Sequence, residues 1–360
     1  MWEVPPFESL TATVRDASKP IGMRMRAAYY LRSEHTNHAD QPEKQDAVVQ
    51  ALSDGLRDVK HGSLMRHEFA YVMGQLRDER CCTVLEETLS CGSDCVMVRH
   101  EAAEALGAIG SERSKMVLEK VRSDNEGIPE LAETCQIALD VMAWRESGGD
   151  PDDMPAACAC MLNPYSSVDP APPHPSHATK STAELGDTLC DAALPIFDRY
   201  RAMFSLRNIG GSDAVSQLCR ALIRDTSSAL LRHEVAYVLG QLQHPDSVEA
   251  LEESLRRTDE HSMVRHESAE ALGAIDGRWE DVERILSEFQ GDGDDVVRES
   301  CLVALDAADY WSRGDANNKV DEAEEEERLD SESPTSSVST TFAAQKSEPN
   351  RILANHFNVV

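Results

Sequence analysis

One spacing governs this chain. RHEFAYVMGQL (66–76) and RHEAAEALGAIG (99–110) set His67 and His100 33 residues apart, and RHEVAYVLGQL (232–242) and RHESAEALGAI (265–275) set His233 and His266 33 apart again. The two pairs are offset by 166 residues. ETCQIALD (133–140) matches ESCLVALD (299–306) at the same offset, and RMRAAYYLR (24–32) matches RYRAMFSLR (199–207) at 175. The first half therefore carries nine extra residues upstream of His67, assigned to SEHTNHADQ (33–41). A period near 33 suits stacked helical hairpins, because one hairpin cannot bury its own apolar face and must pack on the next. The sequence reads as a tandem duplication, with four such units in each half.

Inside a unit the pattern is helical. Val235, Val238, Leu239 and Leu242 fall at i, i+3, i+4 and i+7, a single helix stripe. Gly74, Gly107, Gly240 and Gly273 recur at one position per unit, where a missing Cβ permits close helix approach or starts a helix end. No alternating strand run stands out. The expected fold is an all-α, HEAT-like solenoid: a first half over 1–145, a flexible Pro/Gly/Asp-rich linker over 146–181, a second half over 182–312, and an acidic, Ser/Thr-rich disordered tail over 313–360.

Charge limits the partners. The 360 residues carry a formal net charge of -30, and the segment from Arg313 supplies only ten acids against five Lys/Arg. The body itself is therefore acidic, which disfavours nucleic acid and anionic membranes and favours basic partners. No apolar run is long enough to cross a bilayer, and MWEVPPFESL lacks the pattern of a secretory signal. The ten cysteines form no CxxC motif and are read as reduced thiols of a cytoplasmic protein, with nuclear presence allowed. No phosphate-cradling glycine loop and no GxSxG elbow occur.

The remaining signal is the His-Glu pair, present in units two and three of each half and absent from units one and four. Neighbouring helix positions differ by about 100° in direction, so both side chains can border one cavity. Stacking brings two pairs together, and facing halves would gather four His and four Glu. Such a cluster repels itself unless a cation binds. Imidazole and carboxylate suit Fe, Zn or Mn, and each half can offer two His and one carboxylate, the ligand set of non-haem Fe(II) oxygenases; two centres together would make a two-metal site. The competing readings are a binuclear Zn or Mn hydrolase on the same ligands, a non-catalytic HEAT-repeat scaffold, and a HEAT-repeat chromophore lyase. Arg66, Arg99, Arg232 and Arg265, which precede the pairs, are read as solvated or structural. Tyr71 and Tyr237, four residues after His67 and His233, are read as packing that flanks the cavity.

These motifs, with VDPAPP (168–173), RYRAMFSLRNIG and VVRESCLVALD, resemble the deoxyhypusine hydroxylases, HEAT-repeat di-iron monooxygenases, over about residues 20–312. The resemblance implies hydroxylation, with dioxygen as co-substrate, of the deoxyhypusine side chain on the precursor of eukaryotic translation initiation factor five A. It implies two non-haem Fe2+ ions, one on His67, His100 and Glu101 and one on His233, His266 and Glu267. It makes Glu68 and Glu234 either further ligands or grips for the substrate amines. The physical case leans to the latter, since two amines expected to be cationic need carboxylate partners in a buried site. A monomer is expected, and the electron donor is left unspecified.

Overall fold

The computed structural model describes residues 4–149, 160, 163–165 and 167–307. The tail over 313–360 and most of 150–162 lie outside the described residues. Among the described residues there is no strand, and the helices run as eight successive hairpins. In the first half these are α1 (Phe7–Arg15) with α2 (Ile21–Asn37), α3 (Pro42–Arg57) with α4 (Gly62–Leu76), α5 (Cys82–Ser90) with α6 (Val96–Ile109), and α7 (Lys115–Asp124) with α8 (Pro129–Glu146). In the second they are α9 (Thr182–Cys190) with α10 (Ile196–Ile209), α11 (Gly211–Arg224) with α12 (Ala229–Leu242), α13 (Val248–Arg256) with α14 (Ser262–Ala274), and α15 (Trp279–Glu288) with a helix over 295–307. The chain is thus all-α and HEAT-like, as the period predicts. The nine-residue insertion adds a turn to α2, which ends at Asn37 where its counterpart α10 ends at Ile209.

The two helices of a hairpin have different jobs, and their composition shows it. The outer helices α11 and α13 are amphipathic and bury one stripe, such as Ala214, Val215, Leu218, Ala221 and Leu222 of α11. The inner helices α4, α6, α12 and α14 are buried nearly all round. Close approach between them depends on glycine: a Cβ on Gly74 would lie 2.8 Å from the Ala105 Cα, and one on Gly107 2.8 Å from the Ala138 Cα. The obstacle is backbone in both cases, so a whole helix must move. Gly74→Ala is expected to cost about 1–3 kcal/mol through overpacking, despite the gain of roughly 1 kcal/mol in helix propensity. A melting temperature equal to that of the parent would contradict this.

Arginines lock the stack. The Nε of Arg66, Arg99, Arg199 and Arg265 donates to the carbonyl ten residues earlier, on Leu56, Leu89, Leu189 and Leu255, at 2.7–3.0 Å. Those carbonyls belong to the last turn of the preceding outer helix, where the helix leaves them unsatisfied. Arg66 and Arg265 then clamp Asp94 and Asp292 from the next loop, and Arg232 clamps Glu260 at 2.6 Å. The arginine before each His-Glu pair is therefore a structural pin.

The solenoid closes on itself. At one seam Ser228, the cap of α12, donates to Glu133 on α8 at 2.6 Å. At the other, Arg26 on α2 pairs with Asp306 of the final helix, which also sits against Gly22. The last unit of the second half thus meets unit one of the first, unit four of the first half meets units one and two of the second, and the inner helices of units two and three face across the middle.

The connector departs from expectation. Its Pro/Gly/Asp content predicts an extended, mobile tether over 146–181, yet its second part packs firmly. Ala171 is fully buried. Arg201 donates to the carbonyls of Pro172 and Pro173 at 2.8 and 3.2 Å, and His177 is buried with its Nδ1 2.8 Å from the Ser205 Oγ. The reason is that the prolines offer carbonyls without competing donors, and α10 supplies buried arginines to take them. Burial pushes His177 down to about 4. Its folded-state value lies below the unfolded one, so the neutral ring stabilises the connector above pH ~6.5 and that stability is lost as pH falls towards 4. Melting temperature should fall over this window in the parent and fall less in His177→Gln, which cannot charge; parallel curves would contradict the assignment.

Candidate metal centre

The four histidines come from four inner helices and meet at the centre of the ring. Ring centroids within each half are 5.4 Å apart, for His67–His100 and for His233–His266. Across the halves His67 lies 6.1 Å from His233 and 5.5 Å from His266, and His100 lies 5.3 Å from His233. All four are buried, His100 and His266 completely. A hydroxyl contact at 3.0 Å between Tyr71 and Tyr237, one from each half, marks the line between the halves.

The carboxylates follow the same two-fold logic. Glu101 Oε2 is 3.2 Å from His67 Nε2, and its counterpart Glu267 Oε2 is 3.4 Å from His233 Nε2. His233, His266 and Glu267 each place a donor atom within 4.8 Å of the others; so do His67, His100 and His233, and so do His100, Glu101 and Glu104. All six residues expected as ligands are therefore in one cluster, and the donors are imidazole nitrogens and carboxylate oxygens, a set that suits a divalent transition metal. Both ring nitrogens of His100 are buried with no hydrogen-bond partner. A protein leaves such groups unsatisfied at a cost of about 1–3 kcal/mol each, and a bound metal removes that cost. The residues fit the group.

Electrostatics already arranges the rings for this. Burial and the neighbouring imidazoles hold His100 well below the usual histidine range, so it stays neutral with a lone pair to give. Burial also opposes charge on His67, but Glu101 and then Glu68 outweigh it and raise it well above that range. His67 then bridges the two carboxylates, with Nδ1 3.1 Å from Glu68 Oε1. A metal must displace the Nε2 proton, while the Nδ1 contact keeps the ring aimed.

Glu68 and Glu234 stand at equivalent places and behave differently. Glu68 is fully buried, accepts a hydrogen bond from the Tyr29 hydroxyl at 2.5 Å, and holds His67. Glu234 lines a narrow cavity with Tyr71, Glu104, Asp169 and Tyr237. Tyr71 and Tyr237 thus face the cavity itself. The sequence reading missed Glu104, Glu270, Tyr29 and Asp169. For the first two a signal exists: four residues after the histidine, on the same helix face, units two carry Tyr71 and Tyr237 and units three carry Glu104 and Glu270.

The connector roofs the cavity. Val168 N–H donates to Gln75 Oε1 at 2.9 Å, and Gln241, the counterpart of Gln75, donates to Ser167 Oγ at 3.2 Å. Arg207 grips Asp169 through both nitrogens at 2.7 and 2.6 Å.

A HEAT-repeat ring closed over a buried histidine-carboxylate cluster is the frame of a metal-dependent enzyme, and comparison with known proteins agrees. HEAT repeats match residues 187–260 and 227–306, and the PBS lyase HEAT-like repeat matches 98–133. The deoxyhypusine hydroxylase of Xenopus laevis is 42% identical over 307 residues, 85% of this chain and 92% of the relative; that of Mus musculus is 43% identical over 309 residues, 86% and 93%. The solved human deoxyhypusine hydroxylase in complex with glycerol superposes with a TM-score of 0.72 at 40% identity, covering 83% of this chain and 94% of that one. The chain belongs to the deoxyhypusine hydroxylase family.

Proposed function

We propose that the protein hydroxylates the deoxyhypusine side chain of the translation initiation factor five A precursor, using dioxygen, and that it does so with two irons. The observation that carries this reading is the convergence of His67, His100, His233 and His266 from four inner helices, with Glu101 and Glu267 in matching positions. One iron would be held by His67, His100 and Glu101 and the other by His233, His266 and Glu267. The irons, when bound, supply dioxygen activation. The scaffold reading leaves four buried imidazoles and their carboxylates without a purpose to offset the cost of burying them.

The chain's own residues do the rest. Glu68 fixes the ring plane of His67 through Nδ1, itself held by Tyr29. The connector excludes water from above. Glu234, with no hydrogen bond or ion pair among the described residues, offers a carboxylate to a substrate ammonium. Burial, then the charges of Glu104, Glu101 and Glu267, push Glu234 well above the ordinary carboxylate range. A cation arriving beside it restores the charged form and gains the full strength of a charge-assisted contact. An acidic surface favours approach of a basic loop around the modified lysine. No described helix is long and apolar enough to cross a membrane. We assign the protein to the cytoplasm and expect it to act as a monomer.

The test is turnover. The iron-loaded protein, given the deoxyhypusine form of the factor, air and a thiol reductant to supply the two electrons that convert the second oxygen atom to water, should add one oxygen atom to the modified side chain, and protein loaded with Zn or Mn should not. No requirement for iron or dioxygen in the protein's activity would favour the hydrolase class instead.

A further inference from the structure

A duplicated chain should build two alike half-sites, and one side chain breaks the likeness. In the first half a row of contacts runs through the histidine. Tyr29 Oη donates to Glu68 Oε2 at 2.5 Å, Glu68 Oε1 lies 3.1 Å from His67 Nδ1, and His67 Nε2 lies 3.2 Å from Glu101 Oε2. In the second half only the last link recurs, with His233 Nε2 3.4 Å from Glu267 Oε2. The Nδ1 of His233 is buried and has no hydrogen-bond partner among the described residues.

The missing link traces to one hydroxyl. The counterpart of Tyr29 at the 175-residue offset is Phe204, which has none to give Glu234, the counterpart of Glu68. The charge of Glu234 bears on Tyr200, but that hydroxyl donates to the Leu230 carbonyl at 3.3 Å. The remaining histidines do not restore the balance. His266 Nδ1 has Glu270 Oε1 at 3.8 Å, longer than a hydrogen bond, and that oxygen accepts from the Ser300 hydroxyl at 2.8 Å. In the first half Thr134 stands in the place of Ser300 and donates to its own helix, at the Glu130 carbonyl 2.7 Å away. A bond at 3.1 Å orients an imidazole, whereas a carboxylate at 3.8 Å lends only its field.

We propose that Tyr29 is a positioning residue for one metal and not the other: through Glu68 and His67 it strengthens the first-half site, so the chain carries two unlike half-sites. This rests on the proposed function, which puts one iron on His67, His100 and Glu101 and the other on His233, His266 and Glu267. The physical basis is the outer hydrogen bond of a ligating imidazole. It fixes which nitrogen faces the metal, holds the ring in place and raises its donor strength, and its loss costs roughly 10–100-fold in metal affinity. The Tyr29 hydroxyl holds Glu68 in turn, by a charge-assisted bond in a fully buried place.

The test is anaerobic Fe2+ binding to the full chain. Tyr29→Phe should weaken one of the two binding steps by about tenfold or more and spare the other. Two further backgrounds identify the step: His266→Ala leaves the first-half site and His100→Ala the second. Tyr29→Phe should weaken the site that remains in His266→Ala and stay within about twofold in His100→Ala. Non-additivity separates this role from loosened packing. Once Glu68→Gln is in place, Tyr29→Phe should cost the first-half site less than about twofold more, because it acts through that carboxylate. Both binding steps unchanged in Tyr29→Phe, equal weakening of the two, or full additivity with Glu68→Gln overturns the proposal and leaves hydroxylation standing. If the parent itself binds fewer than two irons, the two-iron reading falls and takes this inference with it.

Discussion

His100→Ala should lose at least one of the two proposed irons and reduce hydroxylation by a factor of about 100 or more, since even outer-shell changes at metal sites cost roughly 10–100-fold. His100 is the sharpest choice among the proposed ligands. It is completely buried, both its nitrogens lack a hydrogen-bond partner, and its neighbours keep it neutral. No structural contact would be lost except packing, and a small side chain leaves the outer helices and their arginine pins untouched. The same substitution should therefore leave the circular dichroism of the metal-free protein nearly unchanged. Iron content and activity equal to the parent's would remove His100 from the site.

The second large effect is on stability. The Arg207 side chain is 0% exposed and holds both oxygens of Asp169, the side-chain Oε1 of Gln241 at 3.0 Å, and the side-chain Oδ1 of Asn208, while its guanidinium stacks on Phe204 and Tyr165. Arg207→Ala leaves Asp169 of the connector as a carboxylate without its cation, held among the described residues only by the Ser167 hydroxyl. Removing one partner of such a pair costs about 3–5 kcal/mol, which lowers the melting temperature by roughly 10 °C in a chain of this size. Asp169→Asn in the same background should recover part of the loss, because the stranded charge is gone. A melting temperature within about 2 °C of the parent would show that the connector is not held this way.

Much of this architecture was legible in the residues because it is periodic. The 33-residue spacing fixes which helix follows which, and the 166-residue offset predicts that Glu101 and Glu267 take matching places beside His67 and His233. Ring closure was not legible. It depends on how far each hairpin rotates on the next, and the residues at the seams, Gly22 with Asp306 and Glu133 with Ser228, carry no motif. The connector misled for a related reason. Proline and glycine do mark irregular backbone, but whether such backbone is free depends on partners elsewhere, here Arg201 and Arg207 on α10. The arginines before the His-Glu pairs were ambiguous because their partners are main-chain carbonyls of the preceding helix together with acids from the next loop, at spacings that no local pattern announces. Glu104 and Glu270 escaped notice although they stand one helical turn beyond the histidines. Comparing the halves exposes them, since what matters is where the repeat is broken: Tyr29 against Phe204 and Ser300 against Thr134.

The most direct test of the central claim is the origin of the added oxygen. Protein loaded with Fe2+ is mixed with the deoxyhypusine form of the factor and a thiol reductant, which supplies the two electrons that convert the second oxygen atom to water, under isotopically labelled dioxygen in ordinary water, and the modified peptide is weighed by mass spectrometry. A monooxygenase built on this centre places one labelled oxygen atom in the product. Product bearing oxygen from water, or no gain in mass with both irons present, would contradict the account.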